Sequence, residues 1–258
     1  MITRIRTAVV AAVLATAVLL SGGLLAQQSG KDQFDKDQRE EMGGIIRDYL
    51  LENPEILREV IQALEAKEQE AGLTAMSEAI RERSAELYRG EHDLVAGNPD
   101  GSVTMVEFFD YNCGYCKRAM SDVLALIEAD DDLRVVFKEW PILGEGSRFA
   151  ARAALASQKQ GKYWDFHLAL METRGIDETT TLEVAERIGL DVEQLKADME
   201  APEVAAVIEG NMKLASAFGI QGTPVFFIDD QVIPGAVGHD ALAQVIGEVR
   251  EAGGCTVC

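Results

Sequence analysis

The sequence has few cysteines and no concentration of basic residues, and both absences narrow the possible functions. Only four of its 258 residues are cysteine, too few for a small exported domain held together by many disulfides. Asp and Glu outnumber Lys and Arg by 44 to 24, the net charge is −20, and no Lys/Arg cluster interrupts this excess. Nucleic acid is therefore not expected as a partner, and an anionic membrane surface is a poor one.

Histidine is also scarce. The chain has three, His92, His167 and His239, and none is at metal-ligand spacing from another. Each is expected to be a surface or capping residue rather than a catalyst.

The N-terminus has the layout of a secretory signal. Arg4 and Arg6 precede an apolar run over residues 8–20, and small residues follow. The run is shorter than the roughly 18 residues of a membrane span, which favours a signal peptide over residues 1–26. Leu24 stands where a signal peptidase prefers a small residue, so an uncleaved membrane anchor is the alternative. Both interpretations place the remaining chain outside the cytoplasm, and we expect a periplasmic protein.

Residues 27–90 are predicted to form a helical arm. After a polar linker, apolar residues recur at helical spacing with no strand or hairpin signal, and Asn53-Pro54 is typical of a helix start. So few residues cannot bury these apolar faces among themselves. We expect the arm to assemble the protein as a homo-oligomer, a dimer or a trimer; the alternative is a helical hairpin folded onto its own domain.

Residues 91–258 are predicted to form one α/β domain. After turn signals at Asn98-Pro99 and Asp100-Gly101, a strand at 103–109, a helix and a strand at 133–137 predict a right-handed βαβ unit. Residues 144–219 show helices only. A buried strand at 224–228, a turn and a second strand at 231–234 predict a hairpin before a last amphipathic helix.

Two cysteines at the start of the first helix carry the predicted chemistry. In Cys113-Gly114-Tyr115-Cys116, the free backbone N–H groups of a helix N-terminus favour a thiolate on Cys113, and Cys116 is within reach to close a disulfide. The alternatives are a structural disulfide or half of a zinc site, which would need Cys255 and Cys258 as its other ligands. No cofactor is expected.

The tail carries the second pair, Cys255 and Cys258. A local disulfide is the simplest interpretation. A soft-metal site for Cu(I), with Cys255 and Cys258 as weak candidate ligands, and an auxiliary redox pair are the alternatives.

Three segments together resemble the DsbA family of exported thiol–disulfide oxidoreductases. They are EFFDYNCGYCKR at residues 107–118, FKEWPILG at 137–144 and GTPVFFI at 222–228, within a resemblance that covers about residues 92–250. It implies a thioredoxin fold with a helical insertion at about 144–219, here preceded by an N-terminal all-helical arm. The segment NPEILREVIQALE, at 53–65, is similar to the arms of the oligomeric, ScsC-like branch, whose members isomerise wrong disulfides or handle copper stress.

The resemblance also implies roles for five residues. Cys113 is the exposed nucleophile, Cys116 is the buried resolving thiol, and Thr223-Pro224 is a cis peptide bond that faces the sulfurs and presents backbone to a substrate strand. Glu107 matches the family's buried acidic residue, a candidate for proton relay to Cys116; its alternative is a strand residue that reaches solvent. The implied partners are unfolded or misoxidised exported proteins and a membrane redox partner.

The chain departs from the family pattern at Tyr115, because many strong oxidants of the family have a histidine before the second cysteine. Without that imidazole, we expect a potential less oxidising than roughly −120 mV and nearer the isomerase value of about −180 mV. The predicted function is a protein disulfide isomerase or oxidase that works by dithiol–disulfide exchange. The alternative is a copper-binding or copper-sequestering thiol module of the cell envelope.

Overall fold

The computed structural model describes residues 34–258, which fall into two compact units. One ends at Gln69 and the other covers Glu70–Cys258. The predicted signal peptide, residues 1–26, lies outside the described residues. Within residues 34–258, no helix is long and apolar enough to cross a membrane.

The N-terminal unit is helical. Helix α1 covers Lys36–Glu52, and helix α2 covers Glu55–Glu82 without a break at Gly72. The predicted helix start at Asn53-Pro54 is displaced by one residue, and Asn53 has a different role. Its side-chain amide donates to the Tyr49 carbonyl at 2.8 Å, so it closes α1 rather than capping α2.

The apolar residues of this unit are largely exposed. Eight large apolar or aromatic side chains on α1 and the first half of α2 are between 48% and 67% exposed. The unit therefore has wide apolar faces that remain exposed among residues 34–258. These residues are Ile45, Ile46, Tyr49, Leu51, Leu57, Val60, Ile61 and Leu64.

A five-stranded mixed sheet organises the second unit, in the order β1-β3-β2-β4-β5. Strands β2 and β3 are parallel and are connected through helix α4 (Gly114–Ala129), whereas the other three pairings are antiparallel. This confirms the βαβ unit, the hairpin and the thioredoxin fold. The strands are β1 (Leu94–Gly97), β2 (Val103–Phe109), β3 (Leu133–Glu139), β4 (Val225–Ile228) and β5 (Gln231–Pro234).

Strand β1 was not predicted, because the turn signals before the first predicted strand indicated only a domain boundary with a hairpin-like entry. It pairs antiparallel with β3, from Leu94 opposite Phe137 to Gly97 opposite Arg134. Only Leu94 of its four residues is fully buried. A short edge strand that ends in glycine has neither the length nor the apolar alternation that marks a strand in a sequence.

Helices form the rest of the unit, and the predicted helical insertion is confirmed. A short helix α3 (Ser84–Tyr88) precedes the sheet and helix α10 (His239–Glu251) follows it. The insertion between β3 and β4 consists of α5 (Glu145–Ser157), α6 (Tyr163–Glu172), α7 (Glu178–Arg187), α8 (Val192–Met199) and α9 (Pro202–Ala217).

The sheet is buried on both faces, and alternation along β2 decides which side chains enter which core. Met105 and Phe109 pack into the large cluster that contains Cys116, whereas Val106 and Phe108 pack into a second cluster on the opposite face. Because side chains of a strand alternate between its faces, Glu107 points to the same side as Met105 and Phe109. A carboxyl group therefore lies on the cysteine side of the sheet.

The tail cysteines form a disulfide, as predicted, between Cys255 and Cys258. The turn between β4 and β5 holds this loop, because Asp229 accepts the backbone N–H groups of Thr256 and Val257 at 2.8 and 3.1 Å. Val257 and Cys258 also pack against the second core cluster. The disulfide closes a loop that belongs to the fold.

Replacing Cys255 and Cys258 with serine is expected to lower the free energy of unfolding by about 2 kcal/mol, from the entropy of closing a four-residue loop. Urea denaturation of a Cys113→Ser/Cys116→Ser protein, with and without the two tail changes, isolates the tail pair. Equal midpoints under oxidising conditions would contradict the expectation.

Candidate active site

Asp110 fixes the turn that delivers Cys113 from β2 to α4. Its carboxylate accepts the Asn112 N–H at 2.7 Å and the Ile142 and Leu143 N–H groups at 2.8 and 2.9 Å. The Ser147 hydroxyl also donates to it, at 2.7 Å. A buried carboxylate with four donors ties the turn to the segment that follows β3.

Asn112 adds a second attachment to the same turn. Its amide oxygen accepts the Ile176 N–H at 2.8 Å, and its amide nitrogen donates to the Ile176 carbonyl, also at 2.8 Å. The turn before Cys113 is therefore anchored to the helical insertion as well as to the sheet.

Cys113 is the N-cap residue of α4, and its sulfur accepts the Cys116 backbone N–H at 3.4 Å. The pKa of the Cys113 thiol is lowered from 9.0 to about 5. The largest cause is the hydrogen bond with the Cys116 side chain; bonds from Thr223 and from backbone amides add to it, and burial opposes it. Both cysteines are unpaired by a disulfide and both are buried. Cys113 is only 6% exposed, so the expectation of an exposed nucleophile is wrong. A thiolate therefore exists on Cys113 at neutral pH.

Cys116, in contrast, keeps its proton at neutral pH. It is fully buried, and burial raises its pKa, with further contributions from the hydrogen bond to Cys113 and from the charge of Glu107. The pair thus combines one ionised thiol with one thiol that keeps its proton. Such an asymmetric pair suits a nucleophile and a resolving group.

The Thr223-Pro224 peptide bond is cis, which confirms the expectation from the sequence. The Cys113 sulfur lies 3.2 Å from the Thr223 carbonyl oxygen. Two segments 110 residues apart in the chain therefore meet at the reactive sulfur.

Glu107 lies beneath the pair and is fully buried, so the alternative of a residue that reaches solvent is wrong. Neither carboxyl oxygen has a hydrogen-bond partner among the described residues. Burial is the main cause that raises the pKa of Glu107 from 4.5 to about 8, and the negative charge of Cys113 adds to it. At neutral pH the group is therefore mostly protonated and near the point at which it ionises. Its role in proton relay stays a prediction.

His167 corrects the expectation of a surface or capping histidine. It is fully buried, its ring centroid lies 4.8 Å from those of Phe109 and Phe137, and its Nδ1 is 3.1 Å from the Tyr111 hydroxyl. Burial lowers its pKa to about 3, so it stays neutral at physiological pH. The Tyr111 and Tyr163 hydroxyls donate to Glu139 at 2.8 and 3.0 Å. These buried contacts hold Tyr111, which belongs to the turn before Cys113, against the protein core.

Tyr115 lies at the surface between the two cysteines and is 60% exposed. The Arg118 guanidinium carbon lies 4.2 Å from its ring centroid, within the range of a cation–π contact. The position that could carry a charged imidazole beside the thiolate therefore carries a neutral ring.

Comparison with known proteins agrees with this geometry. A family model described as the DSBA-like thioredoxin domain matches residues 104–247, more than half of the chain. The chain belongs to this family. A second model, the N-terminal domain of the copper resistance protein ScsC, matches residues 38–71, which confirms the resemblance of the arm to the ScsC-like branch.

A crystal structure of a thioredoxin-like oxidoreductase from Silicibacter pomeroyi DSS-3 is 52% identical, with a TM-score of 0.64, and the match covers 65% of this chain and 97% of that one. Disulfide bond formation protein D of Bacillus subtilis is 30% identical over 165 residues, 59% of this chain and 74% of that protein.

The Na(+)/H(+) antiporter NhaA of Herminiimonas arsenicoxydans is 34% identical over 165 residues, 62% of this chain. The match covers 26% of that protein, so the chain spans about a quarter of the length of such a relative.

The supporting residues Asp110, Asn112 and His167 were not predicted. Asp110 and Asn112 lie inside the motif that carries the resemblance, and their position next to Cys113 was the available signal. His167 lies between Phe166 and Leu168 in a predicted helix, which indicated a buried position.

Proposed function

We propose that the protein is an exported thiol–disulfide oxidoreductase that acts on disulfides of unfolded or misoxidised exported proteins. The observation that carries this proposal is the ionised Cys113 sulfur at the N-terminus of α4, 3.2 Å from the Thr223 carbonyl of the cis-Pro turn. Membership of the DSBA-like family supports it. The signal-like N-terminus supports a periplasmic location, where a membrane redox partner would restore the cysteines.

The proposed exchange uses both cysteines in turn. The Cys113 thiolate attacks one sulfur of a substrate disulfide, a mixed disulfide forms, and the other substrate sulfur leaves as a thiolate. Cys116 then loses its proton and attacks the Cys113 sulfur, which releases the second substrate thiol. Two electrons pass from the cysteine pair to the substrate, and the reverse sequence oxidises a substrate dithiol.

In the proposed second step Glu107 accepts the Cys116 proton; the support is that its charge acts on the pKa of Cys116, although neither carboxyl oxygen is hydrogen-bonded among the described residues. While Cys113 is a thiolate, its negative charge helps to raise the pKa of Glu107. When Cys113 enters the mixed disulfide, that charge disappears and Glu107 becomes a stronger acid. Its carboxylate is thus most available when Cys116 must be deprotonated.

Isomerisation is the direction that the arm favours. The exposed apolar faces of α1 and α2 suit burial against other copies of the chain. Several active sites in one oligomer raise the local concentration of Cys113 around a trapped substrate. A dimer or trimer is therefore part of the proposal.

Deleting residues 27–69 is expected to give a monomer with at least a fivefold lower rate of scrambled-ribonuclease refolding. The deletion ends at Gln69 because Ile80, Leu87 and Tyr88 are fully buried in the core of the second unit. Light scattering gives the oligomeric state, and exchange with a short peptide disulfide, expected to be unchanged, is the control. A monomer that keeps the full refolding rate would show that assembly is not required.

Replacing Tyr115 with histidine is expected to make the protein a stronger oxidant by roughly 30–60 mV. An imidazolium beside the thiolate lowers its pKa by about 1–2 units, and each tenfold change in the exchange equilibrium is about 30 mV. Equilibration with glutathione gives the potential, and Tyr115→Phe is the matched control. A wild-type potential at or above roughly −120 mV would contradict the predicted isomerase range.

The copper-binding alternative has less support. Cys255 and Cys258 are joined in a disulfide, which offers no thiolate to a metal. Within residues 34–258 no group of three or more His, Cys, Asp or Glu side chains could hold a metal ion. The family model of the copper resistance protein ScsC matches residues 38–71, and this segment contains no cysteine that could bind copper.

A further inference from the structure

A groove next to the cysteine pair extends the candidate site beyond the thioredoxin sheet. It has a volume of about 600 Å³ and includes Thr223 and Pro224. Residues 218–225, which lead to and include the cis-Pro bond, form most of its lining; Tyr115 comes from α4 and Met76 from helix α2. Among the described residues that line it, none is charged. The groove is therefore uncharged and mostly apolar, and it shares Thr223, whose carbonyl oxygen lies 3.2 Å from the Cys113 sulfur.

Met76 is held in place by the end of α2. One turn further on, Ile80 is fully buried in the second core cluster, and Met76 itself packs against this cluster. The Ser77 hydroxyl donates to Asp230 at 2.9 Å, and Arg81 lies 3.6 Å from the same carboxylate. Asp230 belongs to the turn between β4 and β5, so the helix and the groove floor are joined.

We propose that Met76 selects substrates by contacting a large apolar side chain close to the cysteine that undergoes exchange. This inference rests on the proposed function. The occupant is an extended segment of a substrate polypeptide, since a chain bonded to Cys113 must pass the Thr223 carbonyl and enter the groove. Alternate residues of an extended chain lie about 7 Å apart on one side, so the side chain two positions from the substrate cysteine falls over the groove.

The chemistry of the lining identifies the preferred side chain. Met76 is half-buried and part of its side chain remains free to contact a ligand. A thioether on a flexible stem adapts to leucine, isoleucine or phenylalanine equally well. A charged or short polar side chain gains nothing from this wall, because burying it there removes its hydration without providing a partner.

The test uses the full-length reduced protein and two peptide disulfides that differ only two positions from the cysteine, with leucine in one and serine in the other. The wild-type protein is expected to react with the leucine peptide about tenfold faster at limiting peptide concentration. Met76→Glu and Met76→Gln should reduce this preference to less than threefold. Glu78→Ala, an exposed neighbour on the same helix, should keep it.

Two controls separate the possible results. Glu78→Ala should react with oxidised glutathione at the wild-type rate, and Met76→Gln, which adds no charge, should show the same pH titration of thiolate absorbance at Cys113. A wild type without preference, or a Met76→Gln variant that keeps it, would overturn the proposal. A change in oligomeric state caused by Met76→Glu would also overturn it, because it would show that a second copy of the chain occupies the groove. Failure of the wild type to react with any disulfide would refute the proposed function itself.

Discussion

Replacing Cys113 with serine is expected to reduce disulfide exchange by at least 10³-fold, which is the largest effect we expect from a single change. The thiolate is the attacking species, and Cys116 cannot replace it, because it is fully buried and its pKa is raised by that burial. Insulin reduction under dithiothreitol, measured for the wild-type and the Cys113→Ser protein, gives the comparison.

Cys116→Ser is the matched control for that result. Cys113 remains, so the first attack proceeds, but no second thiol releases the substrate. We expect a mixed disulfide that accumulates in one-to-one ratio and is visible by mass spectrometry of the intact protein. Accumulation on Cys116 in the Cys113→Ser protein would reverse the assigned roles.

The low pKa of Cys113 also predicts how the first attack depends on pH. With a pKa of about 5, the thiolate is almost fully formed at pH 7, so the rate of attack should change little between pH 6 and 8. An ordinary thiol would react about tenfold faster for each pH unit in this range.

Local patterns in the sequence were sufficient to predict much of the fold. The apolar run of β2, the helical spacing after Cys116 and the Asp229-Asp230 turn each involve neighbouring residues, and their order implies the βαβ unit and the hairpin. Strand β1 was missed because its pairing depends on β3, about 40 residues away. Its own four residues carry almost no signal.

In the candidate site, too, only the features with a local sequence pattern were predicted from the residues themselves. Cys113 and Cys116 follow from their spacing and their place at a helix start, whereas Thr223-Pro224 and Glu107 came from the family resemblance. Three of the four groups that donate to Asp110, from Ile142, Leu143 and Ser147, lie more than 30 residues further along the chain. His167 is buried because aromatic rings from three elements surround it. Local sequence signals therefore point to these positions, but the distant partners of Asp110 and His167 are visible only in the structure.

Glu107→Gln is expected to slow release of the substrate by Cys116 about 10²-fold, the usual size of a general base contribution. The amide has the same shape as the carboxyl group but cannot accept the Cys116 proton. The first attack by Cys113 should change little. Rapid quenching with acid and mass spectrometry follow the mixed disulfide, which should persist in the variant and decay quickly in the wild type.

The same variant separates a proton relay from a purely structural role through the pH dependence of stability. In the oxidised protein Cys113 does not titrate, and Glu107 has a raised pKa because of burial. Between pH 4.5 and about 8 the unfolded chain releases the Glu107 proton while the folded chain keeps it. Stability contributed by the protonated group is therefore complete below pH 4.5 and is lost as the pH rises to about 8.

The size of this loss is at most ~5 kcal/mol for a pKa raised from 4.5 to about 8. Glu107→Gln should remove most of the slope, as measured by urea denaturation of the oxidised proteins at pH 5, 6.5 and 8. In the reduced protein the lowered pKa of Cys113 acts in the opposite sense between pH 5 and 9, so the slope should be smaller there. A variant that loses the slope but releases substrate at the wild-type rate would make Glu107 a buried structural residue, with the Cys116 proton passing to solvent.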